Sequence, residues 1–304
     1  MEIVKADQIK KVLVLGAGTM GQQIGFLCAS NGFDTTIYDL SRDLLDTAKK
    51  RMEKLSRQFV ARHRITEPEA IASLNRITLT TEASLAAENA DFVSESVTES
   101  VEIKCRVFET FHPLCPGRAV FTTNTSSLIP SMLTHAVGRP KQFAAFHFHN
   151  TLTTDIVDIM PHPETAKETV DTIHAFALRL GQTPILFKKE NHGYAFNALL
   201  MNLCDTALYL AAGGVASVED IDRSWMGIMH MKIGPFGIMD SIGLDTVLKV
   251  NEVWADQLND PRALTNVEFL KRYIKDGKRG EKTGEGFYKY PDPAYRRQNF
   301  IRRT

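Results

Sequence analysis

Two hydrophobic rhythms divide the chain. From Lys10 to about Phe187, short β-branched or aromatic runs alternate with longer amphipathic stretches, and after Lys188-Lys189-Glu190-Asn191 the strand-like runs stop. The first rhythm is that of strands joined by crossover helices, which build a doubly wound parallel sheet. It predicts strands at Lys11–Leu15, Thr35–Tyr38, Asp91–Glu95, Ala119–Thr123, Gln142–His147 and Asp155–Met160. A long crossover from Ser41 to about Asn75 reads as two charged helices broken near Ile65-Thr66-Glu67-Pro68. Pro68 suits the first turn of the second helix, where a missing N–H breaks no helical bond. The remainder is helical until the closing turn Lys282-Thr283-Gly284-Glu285-Gly286. Asn191 to Ala212 would form one long helix, apolar nearly all round, which demands cover from other helices or from a second subunit.

Composition bounds this picture without changing it. At 304 residues, 43% apolar and 24% charged, the chain can bury two ordinary cores. Lysine plus arginine and aspartate plus glutamate both number 36, so no overall field favours nucleic acid or an anionic membrane. Charge recognition must therefore be local. Cys28, Cys105, Cys115 and Cys204 form no CxxC pair and have no histidines at metal-ligand spacing. They read as buried small hydrophobes in a reducing compartment, with no metal expected. The N-terminus lacks an apolar signal core, and the most apolar later stretch carries Asn202 and Asp205, so a soluble cytoplasmic protein is expected.

The first predicted strand runs directly into Gly16-Ala17-Gly18-Thr19-Met20-Gly21 and a helical pattern to Ser30. A glycine triplet alone is weak evidence, but strand, turn, helix and a later acidic residue occur here in order. Gly16 allows the tight turn, Gly18 lets backbone approach a pyrophosphate, and Gly21 lets helix and strand pack closely. Thr19 and Met20 open the helix whose N–H groups would face the phosphates. The second strand ends at Asp39, whose carboxylate would bind a ribose diol and repel a 2′-phosphate, favouring NAD over NADP. Arg42 nearby reads as a solvated charge at a helix start. The expected fold is α/β: an N-terminal Rossmann sheet with its helical arm (about 41–75) over residues 1–188, then an all-α domain for substrate and dimerisation over 189–304.

The fingerprint says only dinucleotide. Other conspicuous polar residues fall at strand ends, where an open α/β sheet binds ligands. They are Asn124-Thr125-Ser126-Ser127, His147-Phe148-His149-Asn150 with Asp158, and Asn197 on the long helix. With these the chain resembles the 3-hydroxyacyl-CoA dehydrogenase family, which extends to gulonate dehydrogenase (lambda-crystallin) and diketoreductase. The resemblance covers nearly the whole chain, in order: Gly16 to Gly21, Glu95-Ser96-Val97-Thr98-Glu99 with Lys104, Asn124 to Leu128, His147 to Asn150, Gly234-Pro235-Phe236, and Lys282 to Tyr288.

The resemblance implies NAD-dependent oxidation of a secondary alcohol at the third carbon of an acyl substrate, as in fatty acid metabolism and β-oxidation. It implies His147 as general base with Asp158 as its acidic partner. Independently of any family, a neutral imidazole suits removal of a hydroxyl proton, and a carboxylate behind it fixes the tautomer. By resemblance, Ser126 and Asn197 hold the reacting oxygen, Asn124 and Asn150 face the cofactor, Glu99 and Lys104 form the cofactor-ribose pair, and Lys282 lies on the cofactor side. His149 occupies a position usually apolar in the family and reads as structural.

Three departures border the substrate pocket: Asp158 replaces glutamate after a loop one residue shorter, Thr151 replaces proline, and Ala198 replaces arginine. Recognition of CoA turns on the arm, where Arg62 matches the family's lysine and its serine partner falls at Leu55, next to Ser56. Lys54, Arg57, Arg62 and Arg64 could meet CoA phosphates, although a solvated helix face accounts for the same charges. A short-chain CoA thioester is the leading substrate. Two alternatives remain, a free 3-hydroxy or diketo acid and a non-catalytic NAD-binding structural protein. A homodimer through the apolar C-terminal helices is expected.

Overall fold

The computed structural model describes residues 3–258 and 261–302, which divide after Ala195 into two compact units. The first holds an eight-stranded sheet: β1 Lys11–Leu15, β2 Asp34–Tyr38, β3 Ile77–Thr80, β4 Phe92–Glu95, β5 Val120–Thr123, β6 Phe143–Phe148, β7 Ile156–Pro161 and β8 Thr183–Leu186. Their order across the sheet is β3-β2-β1-β4-β5-β6-β7-β8. All six predicted strands are present, with ends within one residue of expectation. β3 and β8 were not foreseen. Both are edge strands, and Pro184 sits in β8, where a missing N–H is tolerated.

The sheet is not parallel throughout. β6 and β7 pair antiparallel, because only residues 149–155 link them and a parallel crossover needs about a dozen or more. Every other neighbouring pair is parallel. Alternate residues of β1 feed opposite faces: Val12 and Val14 pack with Ile24, Leu27 and Phe176, while Leu13 and Leu15 pack with Val93, Phe108 and Phe111. Burial on both faces explains the unbroken apolar run. Strand order reverses at β1, between β2 and β4, so the glycine turn leaving β1 lies where such sheets bind ligands.

The arm is two helices, Arg42–Ala61 and Glu67–Asn75. The first buries Leu45, Ala48, Met52, Leu55 and Phe59 as one helical stripe. The second opens with a capping box in which Thr66 and Glu69 satisfy each other's backbone N–H, and Pro68 occupies its first turn.

The second unit is helical: Phe196–Ala212, Val218–Met229, Pro235–Ile242, Leu244–Leu258 and Pro261–Lys275. Its first helix starts five residues later than expected, because Gly193 (φ 75°) and Tyr194 (φ 55°) turn the backbone left-handed. Of that helix only Cys204, Ala207 and Leu208 are buried, whereas Phe196, Leu199 and Tyr209 are exposed. Two buried carboxylates organise this unit. Asp222 accepts from Phe236 N (2.9 Å), Gly237 N (3.1 Å) and Tyr288 Oη (2.8 Å). Asp240 accepts from Phe287 N (2.8 Å), Tyr288 N (2.9 Å) and Tyr290 Oη (3.1 Å). The four cysteines are buried and free. Among the described residues, no helix is long and apolar enough to cross a membrane.

Candidate active site

The antiparallel register of β6 and β7 sets His147 directly opposite Asp158. Opposed residues on one sheet face stand close enough for their side chains to meet. Here His147 Nδ1 lies 3.0 Å from Asp158 Oδ2, and both side chains are buried. Burial works against the Asp158 charge, but the bonds from His147 and His149 outweigh it and hold the carboxyl below the ordinary carboxylate range. An anionic Asp158 has no hydrogen to give, so His147 must donate from Nδ1 and keep its lone pair on Nε2. That is the tautomer a base requires.

Two neighbours of this pair were not foreseen as site residues. His149 Nε2 reaches the same Asp158 oxygen at 3.1 Å, and its ring lies edge-on to His147 at 4.6 Å. Tyr194 stacks on His147 with centroids 4.7 Å apart and planes 18° apart, while its hydroxyl donates to Thr125 O at 2.8 Å. His149 follows from strand alternation once β6 is placed, since residues 147 and 149 point to one side. Tyr194 gave no sequence signal, because a left-handed turn distant in the chain delivers it.

The β4 and β5 ends converge on a second cluster. Lys104 is buried and donates to Glu95 Oε1 (2.7 Å) and Val97 O (3.4 Å), with Glu99 Oε2 at 3.2 Å. Its ammonium is therefore enclosed by the protein, between Glu95 and Glu99. Glu99 accepts from the Ser126 and Ser127 backbone N–H groups (3.1 Å each), the Ser127 hydroxyl (2.8 Å) and the Thr125 hydroxyl. Burial opposes its charge, yet Lys104 and the hydroxyl donors hold the Glu99 carboxyl low. The carboxylate thus fixes the loop that presents Ser126, whose side chain is exposed. Asn124 Oδ1 accepts from Phe148 N at 2.7 Å, tying β5 to the strand that carries His147. Asn150 is exposed and caps its own turn, accepting from Leu152 N at 3.0 Å.

The glycine turn fits a dinucleotide. A Cβ on Gly21 would stand 1.9 Å from Gly16 O, and one on Gly16 would meet Ser96 O at 2.7 Å. Both positions exclude side chains. A Cβ on Gly18 would meet nothing within 4 Å, so bare backbone faces open space where a pyrophosphate could approach. The helix Thr19–Ser30 has no side-chain cap at its N-terminus, leaving that end to a ligand's charge. Asp39 is half-buried and oriented by Ala17 N (2.8 Å) and Ser41 N (3.2 Å).

The expected CoA contacts are placed less favourably. Ser56 is buried and donates to Glu53 O in its own helix at 2.9 Å, so the structure does not present it to a ligand. Arg62 is exposed, with its guanidinium on Leu152 O at 2.6 Å, and Arg64 bonds Thr151 O and Asp155. Lys54 and Arg57 are exposed. In the helical unit, Asn197 is half-buried on the first turn of Phe196–Ala212, and Lys282 pairs with Asp245 at 2.6 and 2.7 Å.

Comparison with known proteins decides the family. The model described as "3-hydroxyacyl-CoA dehydrogenase, NAD binding domain" matches residues 11–190, and that for the C-terminal domain matches 193–290. The chain belongs to the 3-hydroxyacyl-CoA dehydrogenase family. It is thereby an NAD-dependent oxidoreductase. A probable 3-hydroxybutyryl-CoA dehydrogenase of Bacillus subtilis is 31% identical, over 94% of this chain and 99% of that one. Among solved structures, a diketoreductase is 36% identical with TM-score 0.86, covering 93% of this chain and 99% of its own. The (S)-3-hydroxybutyryl-CoA dehydrogenase of Ralstonia eutropha is 27% identical with TM-score 0.84, covering 93% of this chain and all of its own. The 3-hydroxyacyl-CoA dehydrogenase family thus accounts for both units, and for relatives that differ in substrate.

Proposed function

We propose that this enzyme interconverts a short-chain L-3-hydroxyacyl-CoA and the 3-ketoacyl-CoA, with His147 as general base and Asp158 as the residue that orients it. The single observation that carries this reading is the buried pair His147–Asp158, opposed across two strands, from which an anionic Asp158 leaves the imidazole lone pair on Nε2. Bound NAD would supply the hydride acceptor. As the C3 hydrogen leaves, His147 Nε2 takes the hydroxyl proton, and the anionic Asp158 stabilises the imidazolium. Ser126, on the loop that Glu99 fixes, holds the reacting oxygen. The cofactor is held by the Gly16–Gly21 turn and Asp39, with Asn124, Asn150 and Glu99 on its nicotinamide and ribose sides. Lys54, Arg57 and Arg62 are the cations available to CoA phosphates.

A second reading, the same chemistry on a free 3-hydroxy or diketo acid, is favoured by the buried Ser56 and by the 36% identity to a diketoreductase. The test is NADH-linked turnover of acetoacetyl-CoA beside free acetoacetate, with 3-hydroxybutyrate, carnitine and gulonate in the NAD direction. A kcat/KM for acetoacetyl-CoA at least tenfold above every free acid is expected. The reverse order selects the second reading, and no turnover of any of them overturns both.

We also infer a homodimer through the helical unit. Leu199 is 74% exposed and Ile228 74% exposed, with Phe196, Tyr209 and Met229 also open, more apolar surface than a monomeric bundle usually leaves. Light scattering at micromolar concentration should give a mass twice 34.0 kDa. A monomer there would remove the inference.

A further inference from the structure

Three potential metal ligands converge beside the base. His147 Nδ1, His149 Nε2 and the Asp158 carboxylate lie within 4.8 Å of one another. Each nitrogen is already 3.0 and 3.1 Å from the same Asp158 oxygen. Around tetrahedral zinc, with bonds of about 2.0–2.1 Å, ligand atoms stand about 3.4 Å apart, so each nitrogen need move only a few tenths of an ångström from the Asp158 oxygen. Two of the three are fixed by the sheet, His147 opposite Asp158 in the β6–β7 register, and His149 follows just past the end of β6 on the same side as His147. His149 is partly exposed while the other two are buried, which leaves one side for entry and for a fourth ligand.

We propose that His147, His149 and Asp158 form a site for a borderline divalent cation, zinc or cobalt, whose binding inhibits the dehydrogenase. Two imidazoles and one carboxylate suit such ions and not magnesium or calcium, which take oxygen. The inhibition has a specific cause. A metal on His147 Nδ1 takes the lone pair there, so the one proton of the neutral ring must sit on Nε2. The nitrogen that should accept the hydroxyl proton then carries a hydrogen. No proton is gained or lost in the exchange, because each ring keeps one and moves it to its outer nitrogen. Asp158 is drawn to the metal at the same time and no longer orients the base. The cation is therefore an inhibitor and not a cofactor. The binding half of the proposal stands on geometry alone, while the inhibitory half rests on His147 being the base.

The test uses the full-length enzyme after chelator treatment. Calorimetric titration with zinc should show one ion per chain, cobalt should give the visible absorption of a four-coordinate ion, and magnesium should show neither. NADH-linked turnover with the best substrate of the panel above should fall at least tenfold on zinc saturation and return with EDTA. His149→Phe should weaken zinc binding at least tenfold and relieve inhibition to match, each variant being compared with itself with and without metal. Retained NADH binding shows that the variant is folded, and His149→Asn, too short to reach the site, serves if the phenylalanine variant is not. Absence of stoichiometric zinc binding, or binding unchanged in the folded His149 variant, overturns the site. Zinc bound with full turnover overturns the inhibitory half, and locates the error in the assignment of His147 as base rather than in the ligand set.

Discussion

Replacing His147 with glutamine is expected to lower turnover by at least about 10²-fold, the lower bound of what a positioned general base contributes, while NADH still binds. Binding should persist because the glycine turn and Asp39, proposed to hold the adenosine half, are built on β1 and β2, independently of the His147 imidazole. Glutamine keeps a polar side chain of similar length, so the loss reports the missing base and not a cavity. Asp158→Asn is expected to lower turnover as well, since an amide cannot stabilise the imidazolium as the carboxylate does. The double variant should lose far less than the product of the two single losses, because residues acting as one unit are not additive. Steady-state kinetics of the three variants, with NADH affinity measured by fluorescence, checks this. Multiplying losses would show that Asp158 acts independently of the histidine. Near-normal turnover in His147→Gln would remove the base and the mechanism with it.

Removing Asp222 is expected to destabilise the helical unit by at least about 3 kcal/mol. Asp222→Ala leaves the Phe236 and Gly237 N–H groups and the Tyr288 hydroxyl without their acceptor, and each stranded buried donor costs about 1–3 kcal/mol. Burial pushes the Asp222 carboxyl up to about 6, against the bonds from Phe236, Tyr288 and Gly237. The folded protein therefore holds this proton more tightly than the unfolded chain does. Stability from this group is full below about pH 4 and declines as pH rises toward 6, by on the order of 3 kcal/mol. Asp222→Asn does not titrate, so the stability gap between it and the wild type should narrow across that window and stay level above it. Both tryptophans, Trp225 and Trp254, lie in the helical unit, and denaturant titration followed by their fluorescence reads it selectively. A gap independent of pH between 4 and 6 would contradict the raised carboxyl.

The same carboxylates explain two sequence motifs that the functional reading left as family markers. Gly234-Pro235-Phe236 is compelled by Asp222: a Cβ on Gly234 would stand 2.4 Å from its carboxyl carbon. Gly286, in the closing turn, would place a Cβ 2.0 Å from Asp240 Oδ1. These glycines make room for buried carboxyl groups, which gives both motifs a structural reason. Nothing in the order of residues announced this, because Asp222 reads as one more polar residue of a helix.

Local signals carried much of the rest. The strand run into Gly16-Ala17-Gly18-Thr19-Met20-Gly21, the acidic end of β2 and the paired helices of the arm were legible because each depends on neighbours in sequence: steric exclusion at a turn, a cap, a helical stripe. The edge strands β3 and β8 were not, since a short strand at an edge carries little apolar patterning. The reversal between β6 and β7 was available in principle from the shortness of residues 149–155, and it is what sets Asp158 against His147. The helix expected from Asn191 was displaced to Phe196 by two left-handed residues, one of which, Tyr194, packs on His147.

The sequence by itself therefore determined the fold class and the cofactor, because those follow from periodicity and from glycine stereochemistry at the turn after the first strand. The tertiary structure alone decided which groups meet: that two histidines share one oxygen of Asp158, that Lys104 is enclosed by Glu95 and Glu99, that Ser56 turns into its own helix, and that Tyr194 covers the imidazole. Each of those contacts depends on strand register or on the direction of a buried side chain. Both are fixed by packing between segments distant in the chain, and periodicity cannot encode them.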